Sequence, residues 1–233
     1  MKIWNLLITK GARVILFNLP RKIFSRKPKP KQPKWSIVID PGHGGKHPGA
    51  VNKTYGYMEK NINLHVAEFM EKYINDQVPQ VVTAMTRRTD RTVSLSDRCK
   101  LANTGKTDAF ISIHTNARCL KGRYGLEIET FHFRGSEKGF ELAASVQREL
   151  LNCGVFNIPV INRGVKIVQR RGKDGELKDF YVLRETHMTA VLVELGFLSD
   201  DEEAQLLIKP ENQEFMAQAI VDGVVNYLRE KDE

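Results

Sequence analysis

The amino-acid sequence predicts a single α/β domain with a central mixed, mostly parallel twisted sheet covered by helices on both faces. Short apolar, β-branched runs alternate along the chain with longer segments whose apolar residues recur at helical spacing. Strands that alternate with helices in this way form a sheet between helical layers, and such sheets gather ligands at their strand ends. The length of 233 residues suits one such domain with an appendage.

The positive charge of the chain is concentrated at its N-terminus. The net charge is +8, and residues 1–34 hold ten Lys or Arg and no acid, which leaves 26 of the 36 basic residues against 28 acidic ones in the remainder. We therefore predict a basic N-terminal extension and linker over residues 1–34, ahead of a nearly neutral folded domain over residues 35–233. Its apolar runs are too short for a membrane span of about 18–20 residues.

Three interpretations of residues 1–34 remain open: a disordered or weakly helical leader, a segment that lies on an anionic membrane or polymer, and an atypical export signal. A nucleic-acid partner is not expected, because the extension lacks interleaved aromatic residues for base stacking. The three cysteines are too few and too scattered for a disulfide framework, so we expect buried free thiols.

The domain opens with a predicted strand, Ser36–Ile39, which a Gly-rich turn interrupts. Because Pro fixes φ and glycines tolerate positive φ, the segment DPGHGG presents His43 at the end of the strand. After a polar loop, Glu59 begins a helical pattern that continues to Gln77. Both side chains are therefore placed where a ligand or a metal could meet them.

The remaining elements follow in order. Ser94 or Ser96 is a candidate N-cap for the second helix, and His114 and Glu194 each end an apolar strand. The segment 163–182 is the least regular and predicts a hairpin-like excursion at Lys173–Gly175. The other predicted elements are strands over 81–86, 108–114, 125–133 and 190–193 and helices over 137–152, 200–207 and 213–229.

The set His43, Glu59 and His114 is of the kind that holds a catalytic zinc, which keeps three protein ligands and one open position. Such an ion lowers the pKa of its water and polarises a carbonyl, and a separate carboxylate must then transfer the proton. Glu194 follows four apolar strand residues, where partial desolvation would raise its pKa. Taken singly, each residue has a structural alternative, such as the favourable interaction of Glu59 with a helix dipole.

Eight ordered segments around these residues resemble the zinc-dependent N-acetylmuramoyl-L-alanine amidases of the Amidase_3 family, and together they cover nearly all of residues 35–230. The segments are IVIDPGHGG with Pro48-Gly49-Ala50; Glu59-Lys60 with Asn63-Leu64; Thr86-Arg87 with Asp90; Val93-Ser94-Leu95 with Arg98 and Ala102-Asn103; FISIH with Asn116; RGVK from Arg163; Val182-Leu183-Arg184; and VLVELGFL, which contains Glu194. Departures are small: Thr189 and Asp200 stand where the family often has Pro and Asn.

The resemblance implies a zinc amidase catalytic domain over residues 35–233 that binds one Zn²⁺ through His43, Glu59 and His114. It also implies that Glu194 is the catalytic acid/base, and that the substrate is peptidoglycan, cut at the amide between the lactyl group of N-acetylmuramic acid and L-alanine. Asn116 and Arg163 are implied as substrate-side or supporting groups. We expect a monomer that acts in the cell envelope, in the cell wall or periplasm. The sequence leaves the route of export undetermined.

Two other functions remain open. A zinc peptidase that cuts within the stem peptide would use the same metal chemistry, and a non-catalytic wall-binding module would keep the fold alone. A phage lysin and a bacterial wall-remodelling enzyme would share this sequence pattern, and residues 1–34 could attach either one to an anionic envelope polymer or a membrane surface.

Overall fold

A computed structural model describes residues 33–118, 125–153, 159–168 and 178–232. Within these ranges the chain forms a six-stranded sheet flanked by helices. In chain order the elements are β1 (Trp35–Pro41), α1 (Glu59–Gln77), β2 (Val81–Met85), α2 (Leu95–Asn103), β3 (Ala109–Asn116), β4 (Leu126–His132), α3 (Glu137–Asn152), β5 (Val160–Lys166), α4 (Tyr181–Glu185), β6 (Thr189–Phe197), α5 (Asp201–Leu207) and α6 (Pro210–Glu230).

The sheet is mixed and mostly parallel, as predicted. Its strand order is β2-β1-β3-β6-β4-β5, and every neighbouring pair is parallel except β4 and β6. β4 lies on the side of β6 away from β3 and runs in the opposite direction to β6, so this pair is antiparallel. β6 therefore lies between β3 and β4, with a neighbour on each side.

Side chains of successive strand residues point to opposite faces of the sheet, and the two faces pack against different helices. On one face Ile37, Ile39, Val191 and Val193 join the larger core with α1, α3, α5 and α6. On the other face residues such as Val38 pack in a smaller cluster with α2 and α4. The prediction of helices on both faces is confirmed.

Most element boundaries agree with the sequence prediction. The predicted helices Glu59–Gln77 and Glu137–Asn152 have the bounds of α1 and α3. Ser94 is the N-cap of α2, where its hydroxyl accepts from the N–H of Asp97 at 3.1 Å, while Asp97 lies in the first turn. These agreements reflect local signals, namely an acidic residue in the first turn of each helix and a regular apolar face.

Three expectations need correction. The segment predicted as irregular, 163–182, begins inside β5, an edge strand that pairs in parallel with β4, and ends inside the short helix α4. β6 continues past Glu194 to Phe197, and β3 continues past His114 to Asn116, so neither Glu194 nor His114 is the last residue of its strand. The reason is that Leu195 and Phe197 continue the apolar alternation beyond Glu194.

Some expectations fall on residues outside the described ranges. They concern the extension up to residue 32, the hairpin-like excursion at Lys173–Gly175, and Cys119. Of the described cysteines, Cys99 is buried and free, and Cys153 is half-buried. No helix within the described ranges is long and apolar enough to cross a membrane.

Candidate metal centre and its surroundings

His43 stands on the turn after β1 in an unusual backbone conformation. Its φ is 60°, in the left-handed region, which costs a residue with a Cβ about 1 to 2 kcal/mol. The glycine before it is needed for space, because a Cβ at Gly42 would lie 2.3 Å from the His114 ring. The two imidazoles therefore approach closely, with ring centroids 5.0 Å apart in an edge-to-face arrangement.

Glu59, the first residue of α1, is buried between the two histidines. One oxygen, Oε1, is 2.8 Å from His114 Nδ1, and the other, Oε2, is 3.2 Å from His43 Nε2. Burial alone would raise the pKa of Glu59, but hydrogen bonds and charge interactions with His114 and His43 outweigh burial and lower the pKa well below its usual range. Glu59 is therefore an anion at neutral pH.

The loop before α1 and the strand β3 each donate a backbone N–H to this carboxylate. The N–H of Ala50 donates to Glu59 Oε2 at 2.7 Å, and the N–H of Thr115 donates to Oε1 at 3.2 Å. A Cβ at Gly49 would lie 2.3 Å from Oε2 and 2.7 Å from the His43 ring. The glycine at position 49 thus leaves room for two of the three candidate ligands.

His43, Glu59 and His114 together form a group that could hold a metal ion, because one ligand atom of each lies within 4.8 Å of the others. Two imidazoles and one ionised carboxylate are a donor set that zinc accepts in catalytic sites. The side chains of His43 and His114 stay partly exposed, at 33% and 18%, so the cluster opens to solvent on one side. The residues present fit one zinc ion.

Glu194 lies beside this cluster on β6. It is paired in register with His114 on β3 and with Glu129 on β4, and paired residues on neighbouring strands project from the same face of the sheet. Its Oε2 is buried and has no hydrogen-bond partner among the described residues. Burial raises the pKa of Glu194 well above its usual value, and the charges of Glu59 and Glu129 raise it further.

Asn116 and Arg163 both bind Glu129. Asn116 Nδ2 donates to Glu129 Oε1 at 2.7 Å, and Arg163 Nε donates to Oε2 at 2.7 Å. Lys166 Nζ also donates to Oε2 of Glu129, and Arg163 Nη1 donates to Glu127 Oε2 at 2.7 Å. Both oxygens of Glu129 are therefore occupied.

Glu127 and Glu129 were missed by the sequence prediction. Both are 4% exposed and, two residues apart on β4, share the sheet face that carries Glu194. Arg118 neutralises Glu127 at 2.6 Å and also bonds Glu203 at 2.6 Å. The signal that could have found them is the pair of acids at alternate positions in LEIETFH, because two acids facing one side of a strand require cationic partners when buried.

The fold and this cluster define a class of protein. The chain is a single α/β domain in which three residues that could hold one metal ion lie next to a carboxylate of raised pKa. The chain belongs to the Amidase_3 family, described as N-acetylmuramoyl-L-alanine amidase, whose profile matches residues 37–226.

Individual relatives agree with this membership. The probable cell wall amidase LytH of Staphylococcus epidermidis is 33% identical over 194 residues, which are 83% of this chain and 58% of that protein. The chain thus spans less than two thirds of that relative. The crystal structure of N-acetylmuramoyl-L-alanine amidase from Clostridium difficile 630 superposes with a TM-score of 0.72 at 34% identity, over 84% of this chain and 98% of that one.

A second solved structure, the catalytic domain of the amidase CwlV from Bacillus (Paenibacillus) polymyxa, gives a TM-score of 0.70 at 33% identity. It covers 84% of this chain and 98% of that domain. The matched share of this chain is therefore similar in extent to a catalytic domain of such an amidase.

Proposed function

We propose that this chain is a zinc-dependent peptidoglycan hydrolase that cleaves the amide between the lactyl group of N-acetylmuramic acid and L-alanine. The single observation that carries the proposal is the buried, unpartnered Oε2 of Glu194 beside His43, Glu59 and His114. Membership of the amidase family supplies the substrate class. Residues 35–233 are the catalytic domain, which acts as a monomer in the cell envelope.

His43, Glu59 and His114 would hold one Zn²⁺. When bound, the ion polarises the scissile carbonyl and acidifies a water molecule. The anionic Glu59 balances part of the ion's charge, and its bond to the Ala50 N–H fixes the direction of that carboxylate. The partial exposure of both imidazoles leaves one side of the site open to substrate.

Glu194 is the general acid/base. Its raised pKa, which is due mainly to burial and then to Glu59 and Glu129, suits a group that takes a proton from the attacking water at Oε2 and delivers it to the departing alanine amine. The free Oε2 is the position from which both transfers occur.

Asn116 and Arg163 support this arrangement from the substrate side. Their hydrogen bonds occupy both oxygens of Glu129 and thereby fix this charged side chain next to Glu194. Arg163 remains 35% exposed in its side chain, so it also faces the space where a stem peptide would lie.

The ten cationic residues between positions 1 and 34 attach the enzyme to an anionic envelope polymer or membrane surface. Co-sedimentation of the full chain with purified cell walls or anionic vesicles, compared with a variant in which these ten residues are changed to Gln, tests this part. Equal sedimentation of the two proteins would contradict it.

The decisive experiment is mass spectrometry of purified peptidoglycan digested by the zinc-loaded full chain, beside a chelator-treated control. Free L-alanine amino termini and intact glycan strands, seen only with metal, support the amidase. New termini within the stem peptide would identify a peptidase instead. Binding to peptidoglycan without any product in either sample would identify a non-catalytic wall-binding module.

A further inference from the structure

A buried arginine on α2 reaches the backbone of the turn that carries His43. Arg98 is 3% exposed, and its guanidinium makes three hydrogen bonds across the sheet face. Nη1 donates to Asp40 Oδ1 at 2.6 Å and to the carbonyl of Pro41 at 2.8 Å, while Nη2 donates to the carbonyl of His43 at 2.6 Å. One side chain therefore binds the end of β1 and the candidate ligand that follows it.

Asp40 fixes the position of this guanidinium. The carboxylate is 1% exposed, and it accepts from the Thr86 hydroxyl at 2.6 Å on Oδ1 and from the Ser112 hydroxyl at 2.7 Å on Oδ2. These hydroxyls come from the residue that follows β2 and from β3, so the sheet orients Asp40. The planar fork of Arg98 then points one nitrogen at Asp40 and the other at His43.

The backbone of His43 needs such a restraint. At φ 60° the residue occupies a conformation that side chains with a Cβ seldom adopt unless the surroundings impose it. If the carbonyl of His43 lost its donor, the turn could relax to a negative φ, and the imidazole would leave its contact with Glu59. The restraint acts on the main chain, because His43 uses its ring for the metal cluster.

The neighbouring Arg87 bonds a different part of the same turn. It is also buried and bonds the same turn, but it donates to the carbonyls of Pro41, Gly42 and Lys60, and no bond to His43 is found within the described residues. Arg87 joins the start of the turn to α1. Among the described residues, Arg98 is the side chain that bonds the carbonyl of His43 itself.

We infer that Arg98 is a positioning residue for the candidate metal centre: by holding the His43 carbonyl it fixes the left-handed backbone that directs the imidazole at Glu59 and His114. The inference rests on the proposed metal centre. Arg98 touches neither metal nor substrate, so its loss acts on metal affinity through His43.

The test measures two quantities on the full chain: Zn²⁺ affinity, by competition with a chromophoric chelator, and stability of the metal-free protein in urea. Arg98→Lys keeps a cation for Asp40 but lacks the fork that also reaches His43. We expect it to remain folded and to bind Zn²⁺ about ten- to a hundredfold more weakly, the loss typical of residues that orient metal ligands. Absorption of the Co²⁺-substituted protein should also change.

Two further variants separate positioning from general stability. Leu150→Ala truncates a fully buried side chain in α3, so it should lower stability and leave Zn²⁺ affinity unchanged. The double variant Arg98→Met with Asp40→Asn removes both buried charges together and avoids an unpaired carboxylate. It should regain stability lost in single Arg98 variants and still bind Zn²⁺ weakly.

The outcomes are distinct. An Arg98→Lys protein that binds Zn²⁺ within about threefold of the wild type would overturn the inference, as would a double variant whose affinity recovers together with its stability. If Arg98→Lys does not fold, the double variant decides. A wild-type chain that binds no Zn²⁺ would instead remove the proposed metal centre itself.

Discussion

Replacing Glu194 by Gln should nearly abolish turnover and leave the metal cluster intact. General acid/base groups contribute about 10²- to 10⁴-fold to rate, which corresponds to about 2.7 to 5.5 kcal/mol of transition-state stabilisation. We expect the upper part of this range, because the neighbouring carboxylates cannot substitute for Glu194. Both oxygens of Glu129 and both oxygens of Glu59 already accept hydrogen bonds.

The same substitution should increase the stability of the metal-free protein at neutral pH. Because the folded-state pKa of Glu194 is raised, the folded protein binds a proton that the unfolded chain releases above its pKa of about 4.5. Stability is therefore lost as the pH rises above the unfolded value, and Gln does not incur that loss. Below about pH 4 the Glu194 carboxyl is protonated in both the folded and the unfolded protein, so the stability advantage of Gln should vanish.

The assay combines release of L-alanine amino termini from peptidoglycan with urea denaturation of the metal-free protein at pH 4 and pH 7. Glu202→Gln, an exposed position on α5, is the matched control and should change neither quantity. A Glu194→Gln protein with more than about a tenth of wild-type activity would refute the acid/base role, since that effect is below the range for such groups. A variant less stable than wild type at pH 7 would refute the account of the buried carboxyl.

Three other predictions follow from the geometry. Gly49→Ala should weaken Zn²⁺ binding, because the new Cβ would lie 2.3 Å from a carboxylate oxygen of Glu59. Gly56→Ala is the control: Gly56 has the same φ of 72°, but a Cβ there would have nothing within 4 Å. Gly56→Ala should therefore show only the backbone cost of about 1 kcal/mol in urea denaturation. His114→Ala should abolish Zn²⁺ binding in a chelator-competition titration, whereas His65→Ala, at an exposed position on α1, should bind as the wild type does. Burial raises the pKa of Glu203 to about 7, so the contribution of this group to stability should fall by about 3 kcal/mol between pH 4.5 and pH 7. Denaturation curves across that range should show a fall smaller by this amount in Glu203→Gln than in the wild type.

Each of these has a clear contrary result. Equal Zn²⁺ affinity in the two glycine variants would show that space at position 49 does not matter. Normal binding by His114→Ala would remove that residue from the ligand set. A Glu203→Gln protein with the same pH slope as the wild type would place the responsible titrating group elsewhere.

Much of the fold could be predicted because its signals are local. α1 and α3 have an acidic first turn and a regular apolar face, so even their ends were predicted. β5 gave no such signal, because it is a half-buried edge strand whose middle, Asn-Arg-Gly, resembles a loop. α4 has five residues, which is too short for a helical period to be recognised.

The candidate site was only partly predictable for the same reason. His43, Glu59, His114 and Glu194 have characteristic local sequences, so each could be nominated from its own segment. The role of Glu129 depends on its pairing with Glu194 across two strands and on cations from other segments. Such compensation is set by tertiary register, which a local pattern does not contain.

The alternation along β6 gives Glu194 a second consequence, for how the sheet selects its own alignment. Val193 and Leu195 enter the larger core, and Glu194 between them faces the opposite side. A slip of this strand by one residue would insert an unpaired carboxylate into an apolar layer and expose two core side chains, both at large cost. The proposed catalytic group therefore also helps to fix the register of β6, because a shift of this strand by one residue is destabilising at the same residue on which turnover would depend.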